Sequence, residues 1–374
     1  MFANPKNLVL LFIIITIGIF IFYWLFLRMQ MGANPSGERL KQMGRLEYFK
    51  KGMAYNLERT PQLAEGENFL KVLIYFLFNK DPYSKPRKTI PSVKTDLSKI
   101  SPDENILIWF GHSTYFIQLD GKRILVDPVM SGHASPLPFL VKAFEGTDIY
   151  KPDEIPFIDY LLITHDHYDH LDYETILALQ NKFGKIITGL GVGEILQFWN
   201  ISSDKISELV WNEKISLNEQ IQVTFLPARH FSGRGFLRNK TLWGSFALKG
   251  SRHNLYLGGD SGYGAHFKKI GQEFGPFDLA ILENGQYDEK WKYIHMLPAD
   301  ALKAAVDLNA KSIFPVHNSK FILANHAWNA PLNEITRLNH EYKIPLKTPR
   351  IGEKVNLDNP NQKFSNWWTD PDLM

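Results

Sequence analysis

The apolar positions of the chain follow one pattern near the N-terminus and another after the first hundred residues. Residues 8–27 read LVLLFIIITIGIFIFYWLFL, an uncharged and almost wholly apolar run. At about 1.5 Å per residue, a helix of this length extends roughly 30 Å, the hydrocarbon thickness of a bilayer. Tyr23 and Trp24 stand near its end, where interfacial aromatic residues gather. The pattern predicts an N-terminal transmembrane helix.

The flanks of this run distinguish an anchor from a cleaved signal peptide. A signal peptide has a shorter apolar region followed by small residues at the cleavage site, whereas Arg28, Met29 and Gln30 follow here. We therefore expect residues 1–30 to be an uncleaved, single-pass membrane anchor, with a buried core helix as the alternative. Basic residues are more numerous after the run than before it, which favours the cytoplasmic side for the remainder of the chain.

The rest of the chain shows short apolar runs bounded by turn residues, the pattern of β-strands. Strands are predicted at 105–110, 114–119, 123–127, 160–164, 221–226, 244–248, 254–258, 278–282 and 312–316. Asp172 is a suitable cap for a helix that places Ile176, Leu179 and Phe183 on one face, and a second helix is predicted over 298–309. Strands that lead while helices interleave later suit an αββα sandwich, in which two sheets pack face to face with helices outside.

Composition excludes several classes of protein. The 374 residues include 42 Lys and Arg, 39 Asp and Glu, and no Cys. A chain without Cys has no disulfide scaffold, no thiolate-bound zinc and no thiol nucleophile. A net charge of +3 is too small to indicate nucleic-acid binding, and no nucleic-acid partner is expected.

The strongest chemical signal lies directly after the predicted strand at 160–164. Residues 164–170 read THDHYDH, with three imidazoles and two carboxylates in six positions. Alternate side chains of a loop turn toward one point, so His165 and His167 are expected to share a metal ion, with Asp169 and His170 reaching a second ion beside it. Neutral imidazole and carboxylate ligands suit zinc and similar divalent ions. A solvated polar loop is the alternative.

Four ligands do not complete two metal sites, and three further residues share the same placement. His230, Asp260 and His317 each follow the carboxyl end of a predicted strand, as the first cluster does. Each of them alone is equally consistent with a hydrogen-bonded His or a capping Asp. Their common placement beside the cluster favours a shared metal centre.

The order HxHxDH, a distant His, Gly-Asp and a final His resembles that of the metallo-β-lactamase fold. The resemblance implies that His165, His167 and His230 bind one metal, that Asp169, His170 and His317 bind the second, and that Asp260 bridges them. Longer stretches of the chain resemble the N-acylphosphatidylethanolamine-hydrolysing phospholipase D family: WFGHSTYF (109–116), ILVDP (124–128), THDHYDHLDY (164–173), LWGSFAL (242–248), GDSGYGAHFKKIGQEFGPFDLA (259–280) and 292–317. This likeness covers about residues 105–345.

The resemblance implies a reaction and catalytic residues. Two zinc ions, or other divalent ions, lower the pKa of a bridging water so that hydroxide can attack a phosphodiester. We take Asp169 and His295 as the candidate catalytic residues, because a His at the latter position borders the active site in the resembling family. A structural His before a helix is the alternative for His295. Asp127 is either an orienting partner of a ligand imidazole or a turn cap, and a structural hydrogen-bonding role is favoured for His112.

The expected function is a membrane-tethered zinc phosphodiesterase that cleaves N-acylphosphatidylethanolamine-like phospholipids to phosphatidic acid and an N-acylethanolamine. The anchor, an apolar loop at 136–141 and basic residues around His230 favour a lipid; these residues are Arg229, Arg234, Arg238 and Lys240. The alternatives are a lactone or sugar-phosphate hydrolase, a nuclease, and a non-catalytic metal-binding membrane scaffold.

These expectations give four segments. Residues 1–30 are the anchor, 31–100 a juxtamembrane extension wrapped on the main domain, 101–350 the metallo-β-lactamase-fold hydrolase domain, and 351–374 a C-terminal tail.

Overall fold

Two mixed β-sheets packed face to face form the centre of the computed structural model, which describes residues 5–373. The strands of the first sheet are, in spatial order, Lys354–Asn356, Ile106–Trp109, Tyr115–Leu119, Lys122–Val126, Ile158–Ile163, Phe183–Gly189 and Ile206–Leu209. Those of the second are Ile313–Val316, Leu279–Glu283, Asn254–Leu257, Ser245–Lys249, Gln222–Leu226 and Lys214–Ser216. Side chains from the inner faces of both sheets make one continuous apolar core.

Helices cover the outer face of each sheet. Tyr173–Leu179 and Val192–Phe198 pack on the first sheet. The second sheet is covered by His266–Phe274, Pro298–Asp307 and Ala330–Tyr342. The arrangement is the predicted αββα sandwich, and the fold class is confirmed.

One sequence prediction is wrong in detail. Phe183 does not continue the helix after Asp172, because that helix ends at Leu179 and Phe183 begins a strand. Within the predicted C-terminal tail, 351–374, Lys354–Asn356 pairs with Ile106–Trp109 at the edge of the first sheet. Residues 365–370 (SNWWTD) are too few to show a hydrophobic period. Trp367 and Trp368 are nevertheless buried in the core between the sheets.

The N-terminal apolar run forms a long helix that stands away from the sheets. Pro5–Phe22 is α-helical, a π-helical turn follows at Tyr23–Leu27, and the helix continues to Met31. Among the residues that the structure describes, Lys6–Met31 is the one helix long and apolar enough to cross a membrane, with a mean hydropathy of 2.9 over its most apolar 18 residues. Its apolar side chains are exposed, which is unlike the buried core helix considered as the alternative.

The end of this helix is attached to the main domain by hydrogen bonds. Trp199 Nε1 donates to the carbonyl of Met29 at 2.7 Å, and Arg234 Nε donates to the carbonyl of Gln30 at 2.7 Å. Both donors are buried or nearly so. The helix therefore leaves the domain from a defined place.

The segment between the N-terminal helix and the first sheet is folded onto the domain. It contains the helices Gly37–Met43 and Phe69–Phe78 and a small hairpin, Phe49–Lys50 with Met53–Ala54. Met43, Phe49 and Ala54 join the apolar core between the sheets. Residues 31–100 are thus packed against the two sheets, and some of them lie at the site described next.

Candidate metal centre

All seven predicted metal ligands meet at one edge of the sandwich. The loop after Ile158–Ile163 carries four of them, and one follows each of the strands Gln222–Leu226, Asn254–Leu257 and Ile313–Val316. Six of the seven side chains are buried and the remaining one, that of His167, is half-buried. The common position after strand ends, from which the sequence predicted convergence, brings the side chains together.

Three of the imidazoles form one group of nitrogen atoms. His165 Nε2 lies 3.0 Å from His167 Nδ1, and His230 Nε2 lies 3.2 Å from the same nitrogen. The three atoms lie within 4.8 Å of one another, the spacing of ligands around a single ion. The group uses Nε2 from two residues and Nδ1 from the third, a choice that sequence spacing does not determine.

A second group contains Asp169, His170 and His317, and Asp260 lies between the two groups. Asp260 Oδ2 is 3.8 Å from the Nε2 atoms of both His165 and His230. Asp260 Oδ1 is 3.2 Å from His170 Nε2 and 3.1 Å from His317 Nδ1. One carboxylate therefore presents one oxygen to each group.

The polar atoms at the centre fit bound cations. In the described part of the chain, His170 Nε2 and Asp260 Oδ1 are buried and face each other at 3.2 Å without the geometry of a hydrogen bond, although buried polar atoms nearly always have partners. Burial lowers the pKa of His165, His230 and His317 well below the usual histidine value. These imidazoles are thus neutral, which is the form that binds metal.

His170 has the opposite electrostatic environment. Burial alone lowers its pKa, but Asp260, Asp169 and Asp127 surround the ring and raise that pKa well above the usual value. Burial disfavours charge on Asp260 as well, and the neighbouring His170 and His317 hold its pKa well below the usual carboxyl value. Three carboxylates around one imidazole make this part of the site strongly attractive to positive charge.

Outer contacts fix the orientation of the ligand rings. Asp127 Oδ2 lies 2.8 Å from His170 Nδ1 and also accepts a 2.6 Å hydrogen bond from the hydroxyl of Thr164. His230 Nδ1 lies 2.9 Å from the carbonyl of Ile294. Because Nδ1 of His170 and of His230 is engaged in this way, Nε2 of these two rings points to the centre. This arrangement is typical of metal-binding histidines.

His112 also belongs to this outer set. Its Nε2 lies 2.9 Å from Asp169 Oδ2, so the ring holds the carboxylate that precedes His170. Ser113, the next residue, has its hydroxyl 2.9 Å from His317 Nδ1. The Gly-His-Ser turn therefore contacts two of the predicted ligands from one side.

His295 lies at the centre and is paired with a residue that the sequence analysis did not single out. Its Nδ1 is 2.7 Å from Oε2 of Glu283, a carboxylate that is fully buried. Burial raises the pKa of Glu283, while the Glu283 carboxylate raises the pKa of His295 against the effect of its own burial. Glu283 ends the strand Leu279–Glu283, so the strand-end rule applied to the metal ligands also marks this residue.

Asn56, in the segment between the helix and the first sheet, was also missed. Its side-chain amide donates to the carbonyl of His230 at 2.7 Å and accepts from the His230 amide at 3.0 Å. This two-way contact fixes the backbone that carries a predicted ligand. Residues 49–60 have neither a regular apolar period nor a chemical motif, so no sequence signal pointed to Asn56.

A cavity of about 630 Å³ opens above the metal centre. Its floor consists of His167, Asp169, Asp260, His295 and His317, and its walls are mostly apolar, with Leu63, Phe69, Val72, Leu73, Phe76, Phe231, Trp291, Ile294 and Leu323. Gln62, Arg238 and Gln286 complete the lining, so the predicted ligands share the cavity with a mostly apolar surface.

The basic residues near His230 have separate roles. Arg238 lines the cavity. Arg234 does not attract a headgroup, because it is buried and donates to the carbonyls of Gln30, Asp166 and Leu171. Arg229 donates to the carbonyl of Tyr263, and Lys240 to that of Gly52.

Comparison with known proteins identifies the family. A family model described as the beta-lactamase superfamily domain matches residues 122–318, more than half of the chain. The chain belongs to the β-lactamase superfamily. This β-lactamase-superfamily protein is 34% identical over 324 residues to the uncharacterized protein Rv0906 of Mycobacterium tuberculosis, covering 86% of this chain and 87% of the relative.

The finer resemblance to phospholipase D enzymes is also confirmed. The chain is 30% identical over 259 residues to N-acyl-phosphatidylethanolamine-hydrolyzing phospholipase D 1 of Caenorhabditis elegans, covering 62% of this chain and 71% of that protein. Among solved structures, a possible metal-dependent hydrolase from Veillonella parvula matches with a TM-score of 0.53 and 14% identity, over 68% of this chain and 99% of that one. The superfamily and its fold make this protein a metal-dependent hydrolase.

Proposed function

We propose that the protein is a membrane-tethered, dinuclear zinc phosphodiesterase acting on N-acylphosphatidylethanolamine-like phospholipids. The observation that carries this proposal is the convergence of seven candidate metal ligands beside a largely apolar cavity, which four of them line. A phospholipid has the matching polarity, with a phosphodiester at one end and acyl chains at the other. The likeness to the nematode phospholipase D supports the same substrate class.

In this proposal, His165, His167 and His230 would hold one zinc ion, Asp169, His170 and His317 would hold the second, and Asp260 would be available to both. The donor set of imidazoles and carboxylates without thiolates suits zinc and similar divalent ions. Bound there, two such ions supply Lewis acidity for a phosphodiester and an acidified water.

The remaining chemistry belongs to side chains around the cavity. Asp169 acts at the reacting centre, where its carboxylate is oriented by His112 at 2.9 Å. Because Glu283 occupies Nδ1 of His295, Nε2 is the ring nitrogen left to protonate the leaving oxygen. Water adds to phosphorus, the bond from phosphorus to the ethanolamine oxygen breaks, and the products are phosphatidic acid and an N-acylethanolamine.

The cavity walls account for selection of a lipid. Phe69, Phe76 and Phe231 provide apolar surface for acyl chains. The guanidinium of Arg238, which lies over the Phe231 ring at 4.9 Å, adds a positive charge suited to the phosphate.

The N-terminal helix completes the proposal as a single-pass anchor. Its length, and the mean hydropathy of 2.9 over its most apolar 18 residues, match a membrane span. The excess of basic residues after the helix favours the cytoplasmic face for the hydrolase domain.

The test is hydrolysis of a substrate panel by purified, zinc-loaded protein in detergent. The panel contains an N-acylphosphatidylethanolamine, plain phosphatidylethanolamine, a lactone and a bis-aryl phosphodiester, each with and without chelator. Chelator-sensitive release of N-acylethanolamine by wild type and by the surface variant Glu219→Gln, but not by His295→Ala, supports the proposal. Turnover of the lactone alone discards the phospholipase assignment, and no turnover with metals bound favours the non-catalytic scaffold.

A further inference from the structure

The helix Phe69–Phe78 has an unusual surface for a protein in water. Its sequence FLKVLIYFLF contains one charged residue, Lys71, and none of its ten side chains is buried. Leu70 is 65% exposed, Leu77 56% and Phe78 79%. Contiguous exposed apolar surface of this kind marks an interaction site.

One side of this helix is fixed to the domain beside the metal centre. Asn325 Nδ2 donates to the carbonyl of Tyr75 at 3.0 Å, and Lys290 Nζ lies 3.7 Å from the centre of the Tyr75 ring. Val72 and Phe76 line the cavity. The opposite side of the same helix is the exposed apolar surface, so this helix forms part of the wall between the cavity and solvent.

A second exposed apolar pair lies on the loop between the strands Gln222–Leu226 and Ser245–Lys249. This loop lines the cavity and contacts the N-terminal helix. Phe236 is fully exposed and Leu237 is 58% exposed. The neighbouring Gly235 approaches Met31 so closely that an added Cβ would lie 2.3 Å from its methyl carbon. Arg238, one residue beyond Leu237, lines the catalytic cavity.

We propose that the helix Phe69–Phe78, together with Phe236 and Leu237, inserts into the surface of the lipid leaflet at the end of the N-terminal helix. A ten-residue helix is about 15 Å long, too short to cross a bilayer but suitable for the interfacial region. Lys71 lies within the helix and Lys80 two residues after it, and basic side chains of such interfacial helices meet lipid phosphates.

The N-terminal helix identifies lipid as the partner of this apolar surface. The loop that carries Phe236 and Leu237 contacts the last turn of this helix, the one helix among residues 5–373 that is able to span a membrane. Hydrogen bonds fix that turn to the domain, so the loop stays next to the point at which the chain enters the bilayer. This inference rests on the anchor in the proposed function and does not depend on the reaction.

The absence of Cys permits single labels in the full chain. Leu77→Cys, Ile15→Cys and Glu219→Cys are each labelled with an environment-sensitive fluorophore and reconstituted into phosphatidylcholine–phosphatidylglycerol vesicles. Ile15 lies within the N-terminal helix, and Glu219 is exposed in a turn that precedes Gln222–Leu226, at the edge away from the metal centre. Lipids with a quencher near the headgroup, lipids with a deep quencher, and aqueous iodide are then compared.

The expected result is that the Leu77 label shifts to shorter wavelength and loses most of its emission to the shallow lipid quencher. The Ile15 label responds to the deep quencher, and the Glu219 label responds to iodide alone. If the Ile15 label lies in lipid while the Leu77 label is quenched by iodide, the proposal of an interfacial helix is overturned and the anchor stands. A Leu77 label shielded from all quenchers, with emission that depends on protein density, shows a second copy in place of lipid and also overturns it. Both labels in water overturn anchor and interfacial helix together.

Discussion

Glu283 joins His295 to Asp260 at the centre of the site. Its Oε2 lies 2.7 Å from His295 Nδ1, and its Oε1 accepts hydrogen bonds from the amides of Ser261 at 3.0 Å and Met296 at 2.8 Å. Ser261 follows Asp260 and Met296 follows His295. One buried carboxylate thus sets the spacing between a predicted metal ligand and the candidate proton donor.

The substitution Glu283→Gln is expected to reduce hydrolysis by about 10- to 100-fold while the protein stays folded with unchanged metal content. The amide retains an acceptor for the two backbone amides but loses the negative charge beside His295. Steady-state rates, metal analysis and far-UV circular dichroism measure the three quantities. Glu219→Gln is the surface control, and a Glu283→Gln enzyme with wild-type rates would contradict a positioning role.

Removing one ligand of the second group should separate the two metal sites. Asp169→Ala is expected to lose about one equivalent of metal and nearly all activity, because the His165, His167 and His230 group remains complete. Metal analysis after dialysis, with hydrolysis measured in parallel, tests this. Retention of both metals together with activity would show that the ligand assignment is wrong.

The pH dependence of stability should depend on His266, which lies outside the metal centre. Burial, with a smaller contribution from Arg229, lowers the pKa of His266 to about 3, against an ordinary value of 6.5. The unfolded chain therefore binds a proton between these two values while the folded chain does not. Stability from this group is complete above pH 6.5 and falls as the pH is lowered toward 3, by up to about 1.4 kcal/mol per pH unit.

His266→Gln removes this titration and keeps a partner for the hydroxyl of Ser261, which lies 3.1 Å from His266 Nε2. Urea unfolding of chelated protein at pH 7.5, 6 and 5 is the measurement. The wild type is expected to lose more stability than the variant as the pH falls. Parallel losses in the two proteins would rule out His266 as the source.

Arg234 is expected to stabilise both the metal-binding loop and the end of the N-terminal helix. It is buried and donates to the carbonyls of Gln30, Asp166 and Leu171. Arg234→Lys retains the charge but loses the planar set of donors, and should reduce the free energy of unfolding by about 3 kcal/mol. Denaturant titration measures the change. The exposed control Arg337→Lys should change stability by less than about 0.5 kcal/mol, and equal stability of the two variants would contradict this role.

The sequence predicted the sandwich and the ligand cluster for the same physical reason. Strands buried on both faces leave continuous apolar runs, and polar residues directly after such runs meet at one edge of a sheet. Thr164–His170, His230, Asp260 and His317 all follow this rule. Glu283 follows it as well, but a single carboxylate at a strand end carries no motif.

Other features were beyond the reach of sequence patterns because they depend on contacts between distant segments. Asn56 acts through a side-chain amide that meets the backbone of His230, 174 residues away. Trp367 and Trp368 are buried against residues that lie much earlier in the sequence. The choice between Nδ1 and Nε2 at each ligand depends on which partner holds the other ring nitrogen.

The hydrogen bonds from Trp199 and Arg234 to the last turn of the N-terminal helix have a kinetic consequence. In the proposed membrane-tethered enzyme, these contacts would keep the hydrolase at the membrane between turnovers, so that its search for substrate would take place in two dimensions. Its rate would then follow the mole fraction of substrate in the surrounding leaflet and not the amount of lipid in the suspension. Diluting the substrate with inert lipid slows such an enzyme, whereas diluting the vesicles with buffer does not.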